Sequence, residues 1–93
     1  MRTIKFTNKF KKDISREKKG RHKVYLKQIL QNALHLLATD SILPKSYVDH
    51  ALVGNWKDCR DCHLKPDLIL IYRKLDDDIL ELVRIGSHSE LGL

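Results

Sequence analysis

The spacing of apolar residues changes period twice along the chain. Over residues 2–6, Ile4 and Phe6 alternate with polar neighbours, which predicts a short first strand. Thr7 or Asn8 can then cap a helix. Phe10 and Ile14 sit four apart in FKKDISREKK, a narrow apolar stripe on a helix otherwise paved with Lys and Arg, and Gly20 stops it. Over residues 22–38, Leu26, Ile29, Leu30, Ala33, Leu36 and Leu37 follow three-four spacing, which predicts a second helix whose wider stripe covers a sheet. Residues 39–47, TDSILPKSY, carry no sustained periodicity and read as a connector. Three β-like runs follow, near residues 59–64, 68–74 and 79–85. Lys-Pro-Asp links the first pair and Leu-Asp-Asp-Asp the second, short turns that suit antiparallel hairpins. The predicted class is α+β: a βαα unit followed by an antiparallel β-meander, with both helices on one sheet face.

At 93 residues this is one small domain, residues 1–93, with no room for a second catalytic unit. The longest apolar run, Leu68 to Tyr72, is far too short for a bilayer span, and MRTIKFTNKFKK lacks the hydrophobic segment of a signal peptide. A soluble, cytoplasmic protein without membrane association is expected. The net charge of +6 is unevenly spread. Residues 1–30 hold eleven Lys and Arg against two acids, a local +9, and residues 31–93 carry −3. Such a polycationic front favours an anionic partner, nucleic acid first and an acidic protein second; a solvated lysine-rich helix face is the plainer alternative. Lys5, Lys9, Lys11, Lys12, Arg16, Lys18, Lys19, Arg21 and Lys23 form the candidate surface for RNA phosphates.

Candidate chemistry concentrates in residues 46–74, which hold two histidines, four aspartates, both cysteines and the only tryptophan within otherwise β-like sequence. Cys59-Arg-Asp-Cys62-His63 matches the C-x-x-C-H pattern of covalent haem attachment. That chemistry belongs to exported proteins, Met1 is a poor axial ligand, and residues three apart on a strand point to opposite faces. A zinc site likewise lacks a second close ligand pair. Two ordinary reduced thiols are the better reading, with no metal or cofactor. His22, in the basic turn, and His35, off the apolar stripe, are expected at the surface. His50, His63 and His88 lie among acids and arginines on the sheet half, where they could supply a base, an acid and charge stabilisation for phosphodiester cleavage. Spacing alone leaves scattered surface histidines equally open.

The run DHALVGNWKDCRDCHLKPDLILIY, with the later Arg84-Ile-Gly-Ser-His88, resembles the YafQ branch of the RelE/ParE toxin superfamily. Its pattern reads roughly D-H-x-L-x-G-x-W-x-x-x-R-D-x-H-x-x-P-D-x-I-L-I-Y followed by R-x-G-[ST]-H. The match covers about the last half of the chain, and the helical half matches in character. The resemblance implies a RelE-like fold and a bacterial toxin–antitoxin system. In that system a small basic endoribonuclease cuts mRNA in the A site of the 70S ribosome, and a co-encoded antitoxin, acidic or with an acidic half and also DNA-binding, neutralises it. It further implies a catalytic group of His50, His63, Asp67 and His88, with His88 as proton donor and Asp61 and Arg84 in support. The family pattern often has an aromatic shortly after the last histidine; here the tail is Ser-Glu-Leu-Gly-Leu.

Metal-free RNA cleavage needs a base for the 2′-hydroxyl proton, cations for the phosphorane and an acid for the leaving 5′-oxygen. Histidine can do either proton task, and Arg84 with nearby lysines can neutralise phosphate. Trp56, Gly54 and Pro66 read as structural: a buried indole, a bend and a hairpin turn. Two rival functions fit the same fold, a ParE-like toxin that inhibits gyrase by protein contact and a plain RNA-binding module.

Overall fold

The computed structural model describes residues 1–93. The elements run β1 (Thr3–Phe6), α1 (Asn8–Glu17), α2 (Leu26–Ala38), β2 (His50–Ala51), β3 (Arg60–Lys65), β4 (Leu68–Leu75), β5 (Ile79–Gly86) and α3 (His88–Leu91), with short 3-10 turns at Lys45–Tyr47 and Gly54–Trp56. They form one five-stranded sheet in the order β1-β5-β4-β3-β2. β1 joins β5 in parallel, and the other neighbours are antiparallel. The expected α+β class and the βαα-then-meander order are observed, with β2 and α3 as additional short elements that the apolar spacing did not predict.

β4 is the central strand. Leu68 to Tyr72 are all buried because both faces of β4 are covered, which is why this strand is continuously apolar rather than alternating. Each of these side chains contributes about 1.5–3 kcal/mol of burial. On one face Leu68, Leu70 and Tyr72 pack with Leu80, Leu82 and Ile85 under Phe10 of α1 and Leu26 and Leu37 of α2. On the other, Ile69 and Ile71 meet only Cys59 and Leu91, flanked by Leu52, Trp56 and Val83. Both long helices therefore lie on one face, and the second face is thinly covered. Trp56 is half-buried at the rim of that smaller cluster, not the fully buried indole expected.

α1 begins where Thr7 caps it, its Oγ1 accepting from the Phe10 N–H at 3.0 Å and donating to the Val83 carbonyl at 2.7 Å. β1 pairs with β5 only as far as Leu82. Beyond it, α1 side chains satisfy the strand edge: Asp13 Oδ2 accepts from the Ile85 N–H at 3.1 Å, and Arg16 Nη2 donates to the Ile85 carbonyl at 2.9 Å. The second helix starts at Leu26 rather than near His22, because residues 21–25 form a turn. There His22 is buried at 7% exposure, contrary to the surface position expected, with its Nδ1 3.0 Å from the Tyr25 hydroxyl. His35 is exposed as expected.

Cys62 points into the helical-side cluster and Cys59 into the other, so the two thiols diverge across the sheet. Both are free, and burial pushes both thiols up, Cys62 to about 12. No helix is long and apolar enough to cross a membrane.

Candidate active site

The second sheet face positions the acid–base residues. His50 pairs with Asp61 across β2 and β3, Asp61 with Ile71 and His63 with Ile69 across β3 and β4, so all three share the face opposite the long helices. Asp67 sits in the two-residue hairpin link between Lys65 and Leu68. His88 opens α3, which Ser87 caps through a reciprocal box with Glu90. The preceding Gly86 is closely approached by side chains: a Cβ there would lie 2.8 Å from Arg16 Nη2 and 3.2 Å from Glu90 Oε1, so a larger residue would have to displace that ion pair. The R-x-G-S-H run thus places its final histidine by a close approach and a cap.

Asp67 Oδ1 lies 2.9 Å from the His88 N–H and 2.7 Å from its Nδ1. The backbone N–H, then the ring, hold the Asp67 carboxyl below its ordinary value. A carboxylate only accepts, so Nδ1 of His88 carries hydrogen and Nε2 is left to face His63 Nε2 at 3.4 Å. The two rings are tilted, with centroids 5.3 Å apart. Nδ1 of His63 is buried and without a hydrogen-bond partner. These two imidazoles can hold one proton between their Nε2 atoms.

Beside them, Nδ1 of His50 lies 3.0 Å from the Val48 carbonyl and 3.0 Å from Asp61 Oδ1. Only the Val48 contact has hydrogen-bond geometry, and Asp61 Oδ1 has no hydrogen-bond partner. Nδ1–H of His50 therefore donates to Val48, and Nε2 is free on a side chain 54% exposed. Val48 adopts φ +48°, a left-handed conformation rare for a β-branched residue, and this bend brings its carbonyl back to the ring. Burial raises the Asp61 carboxyl above its ordinary value, only partly offset by His50 and His63. The adjoining Asp49 is held by the Tyr72 hydroxyl and by Arg60 Nη2, the latter at 3.0 Å, which ties the start of β2 to the sheet.

His50, His63, Asp67 and His88 thus gather on one surface with Asp61 beneath. Arg84 and Arg16 are engaged elsewhere. Arg84 Nε lies 2.6 Å from Asp13 Oδ2, and Arg16 pairs with Asp13, Glu17 and Glu90 at 3.0, 3.1 and 2.9 Å. Burial alone would raise the Asp13 carboxyl, but Arg84, the Ile85 N–H and Arg16 bring it below its ordinary value. Both arginines therefore brace α1 against β5 rather than standing free for phosphate. Lys9, Lys11, Lys12, Lys18, Lys19, Arg21 and Lys23 are exposed. Arg21 also reaches Asp67, its Nη2 3.3 Å from Oδ2. Sequence reasoning missed His22, Asp49 and Asp13. Asp49 opens the D-H pattern and His22 follows Arg21, whereas Asp13, between Lys12 and Ile14, carries no local signal. No three of the His, Cys, Asp and Glu side chains converge into a metal-binding group.

The class of protein is a small, basic α+β domain whose thinly covered sheet face carries an exposed histidine–aspartate cluster. The family model described as the bacterial toxin of type II toxin-antitoxin system, YafQ, matches residues 2–92. The mRNA interferase toxin YafQ of Escherichia coli K12 is 42% identical over 91 residues, 97% of this chain and 95% of the relative. The E. coli DinJ-YafQ complex matches with a TM-score of 0.83 at 38% identity, covering 98% of each chain. A metal-bound toxin from Helicobacter pylori matches with a TM-score of 0.82 at 45% identity, covering 98% of this chain and 99% of that one. The chain belongs to the YafQ family of toxins of bacterial type II toxin–antitoxin systems.

Proposed function

We propose that this toxin is an mRNA interferase that cleaves mRNA in the ribosomal A site by acid–base transesterification in the cytoplasm. The observation that carries the reading is the Asp67–His88–His63 array, an imidazole fixed at Nδ1 by a carboxylate with Nε2 directed at a second imidazole. Family membership and the name of the E. coli relative support the same activity.

His50 is the general base, since its Nδ1–H is spent on Val48 and Nε2 is exposed to take the 2′-hydroxyl proton. His88 is the general acid. Asp67 stabilises its protonated ring, from which Nε2–H passes to the departing 5′-oxygen. His63 lies between them, two residues along β3 from the Asp61 that pairs with His50, roughly 7 Å on one strand face. His50 and His88 therefore flank His63 on this face, an arrangement that lets base and acid act from opposite sides of the phosphate in an in-line displacement. The exposed lysines of α1 and the following turn supply positive charge for the phosphorane and for ribosomal RNA. As DinJ binds the E. coli relative, a co-encoded antitoxin with an acidic half binds this toxin.

The test is mRNA on purified 70S ribosomes with the purified toxin. Truncated transcripts with a 2′,3′-cyclic or 3′-phosphate and a free 5′-hydroxyl are expected, and a 2′-deoxy or 2′-methoxy nucleotide at the cut site should block cleavage. Cleavage of the deoxy substrate, or its loss on metal chelation with ribosomes intact, would overturn the acid–base mechanism. Intact transcripts beside arrested growth would shift the assignment to inhibition by protein contact.

A further inference from the structure

His22 is the one histidine that sequence placed at the surface and the fold buries, at 7% exposure in the turn between α1 and α2. Both ring nitrogens have partners. Arg21 Nε donates to His22 Nε2 at 3.3 Å, and Nδ1 lies 3.0 Å from the Tyr25 hydroxyl. A guanidinium has only donors, so Nε2 of His22 carries the lone pair and Nδ1 the hydrogen. The other end of the same guanidinium donates through Nη2 to Asp67 Oδ2 at 3.3 Å. The two oxygens of Asp67 are thereby divided, Oδ1 to His88 and Oδ2 to Arg21. The clasp has a second strand, because Lys65 Nζ, two residues before Asp67, lies 4.6 Å from the Tyr25 ring centroid.

We infer that His22 is a positioning residue: its Nε2 accepts from Arg21 and fixes it, Arg21 fixes the plane of the Asp67 carboxylate, and Asp67 orients His88. The need for an anchor follows from exposure. The Arg21 side chain is 69% exposed and Asp67 44% exposed, and a solvated ion pair between two such groups is weak and conformationally loose. A buried acceptor at Nε restricts the rotamers of Arg21 before substrate arrives, and outer partners of this kind set the geometry of the ring that does the chemistry. The kinetic consequence rests on the proposed cleavage; the chain of contacts does not.

Four variants test it: His22→Leu, which keeps the burial but removes the acceptor; His22→Gln, which restores an acceptor oxygen; the exposed Arg21→Gln; and His22→Leu with Arg21→Gln. In single-turnover cleavage at saturating ribosomes, His22→Leu and Arg21→Gln should each be about tenfold slower. His22→Gln should stay within about threefold of the native rate, and the pair should lose about tenfold rather than a hundredfold, as members of one chain do. In His22→Leu and His22→Gln, which leave every exposed cation in place, the ribosome concentration for half-saturation should not move. Proton exchange at His88 Nδ1–H, followed by NMR on the free protein, should quicken in His22→Leu and Arg21→Gln and return in His22→Gln. Additive losses, a shifted half-saturation with unchanged rate in His22→Leu, or unchanged exchange in Arg21→Gln would overturn the inference. Should His22→Leu fail to fold, Arg21→Gln decides alone. Were the native toxin to cut no RNA, the NMR result would still judge the positioning chain, and only the proposed function would fall.

Discussion

Asp13 and Asp67 each accept one backbone N–H and two cationic or ionisable side chains, Asp13 from the Ile85 N–H at 3.1 Å, Arg84 at 2.6 Å and Arg16 at 3.0 Å, Asp67 from the His88 N–H at 2.9 Å, the His88 ring at 2.7 Å and Arg21 at 3.3 Å. Both carboxyls are held below their ordinary value. Their surroundings differ. The Asp13 side chain is 4% exposed, Arg84 binds it through two nitrogens, and Arg16 is shared with Glu17 and Glu90; that of Asp67 is 44% exposed, and the ring it orients opens onto a second imidazole. A buried carboxylate–arginine cluster, with the carboxylate out of reach of solvent, serves as a brace for the strand edge. An exposed carboxylate–imidazole pair, with a proton site left over, can serve as a reagent. Burial, more than residue type, separates the two.

That comparison would break first at His88. His88→Ala should lower the cleavage rate by roughly 10² to 10⁴ while the protein stays folded and ribosome binding survives. Circular dichroism and thermal unfolding of the variant check the fold, and a loss of less than tenfold would remove His88 from the proton path.

Asp13→Ala should do the reverse. Removing one partner of a buried pair leaves Arg84 and the Ile85 N–H uncompensated, at a cost of roughly 3 kcal/mol or more, and a drop of about 10–20 °C in Tm is expected. The pH dependence has a definite sign. The folded-state pKa of Asp13 is depressed, so its contribution is fully present above the ordinary carboxylate range and is lost as pH falls through the lower folded value. The gap between native and Asp13→Ala proteins in urea midpoint should therefore narrow in acid. A gap constant down to about pH 2 would show that packing, not charge, explains the cluster.

Much of the fold was legible because local period and turn chemistry carried it. β3, β4 and β5 lie within a residue of where alternation and turn residues put them, since β4 has apolar neighbours on both faces and its limits are marked by Pro66-Asp67 and Asp76 to Asp78. The catalytic candidates were legible by resemblance rather than by spacing, because residues 50, 63, 67 and 88 come from four separate elements or links. What sequence hid are contacts between distant side chains. Arg84 and Arg16 looked like phosphate ligands until α1 packed along β5 and brought Asp13 and Glu90 to them. His22 looked like part of a solvated basic turn because its partners are an arginine and a tyrosine, neither of which marks burial. The early start assigned to α2 has the same origin, since the apolar period begins only at Leu26 and the preceding turn is shaped by those contacts.

The smallest effect expected concerns Asp61, which stands between the two cases: buried like Asp13, at 4% side-chain exposure, yet within the reactive cluster like Asp67. Its Oδ1 has no hydrogen-bond partner, and burial raises its carboxyl above the ordinary value. A raised folded-state pKa means that the ionised group costs stability at neutral pH, and that this cost disappears as pH falls and the carboxyl is protonated. Asp61→Asn keeps the shape without the charge. It should unfold at a higher temperature than the native protein at pH 7, by about 1 kcal/mol or roughly 4–8 °C for a domain of this size. The advantage should shrink as pH is lowered through the raised folded value and vanish below the ordinary carboxylate range. Activity should move the other way, by a few fold, because His50 loses the negative charge 3.0 Å from its Nδ1 that favours its protonated form after it takes the 2′-hydroxyl proton. A residue whose replacement stabilises the fold and slows the reaction is retained for chemistry rather than structure. Were Asp61→Asn to unfold at a lower temperature at pH 7, Asp61 would belong with Asp13 as a brace, and its charge would be part of what holds β2 to β3.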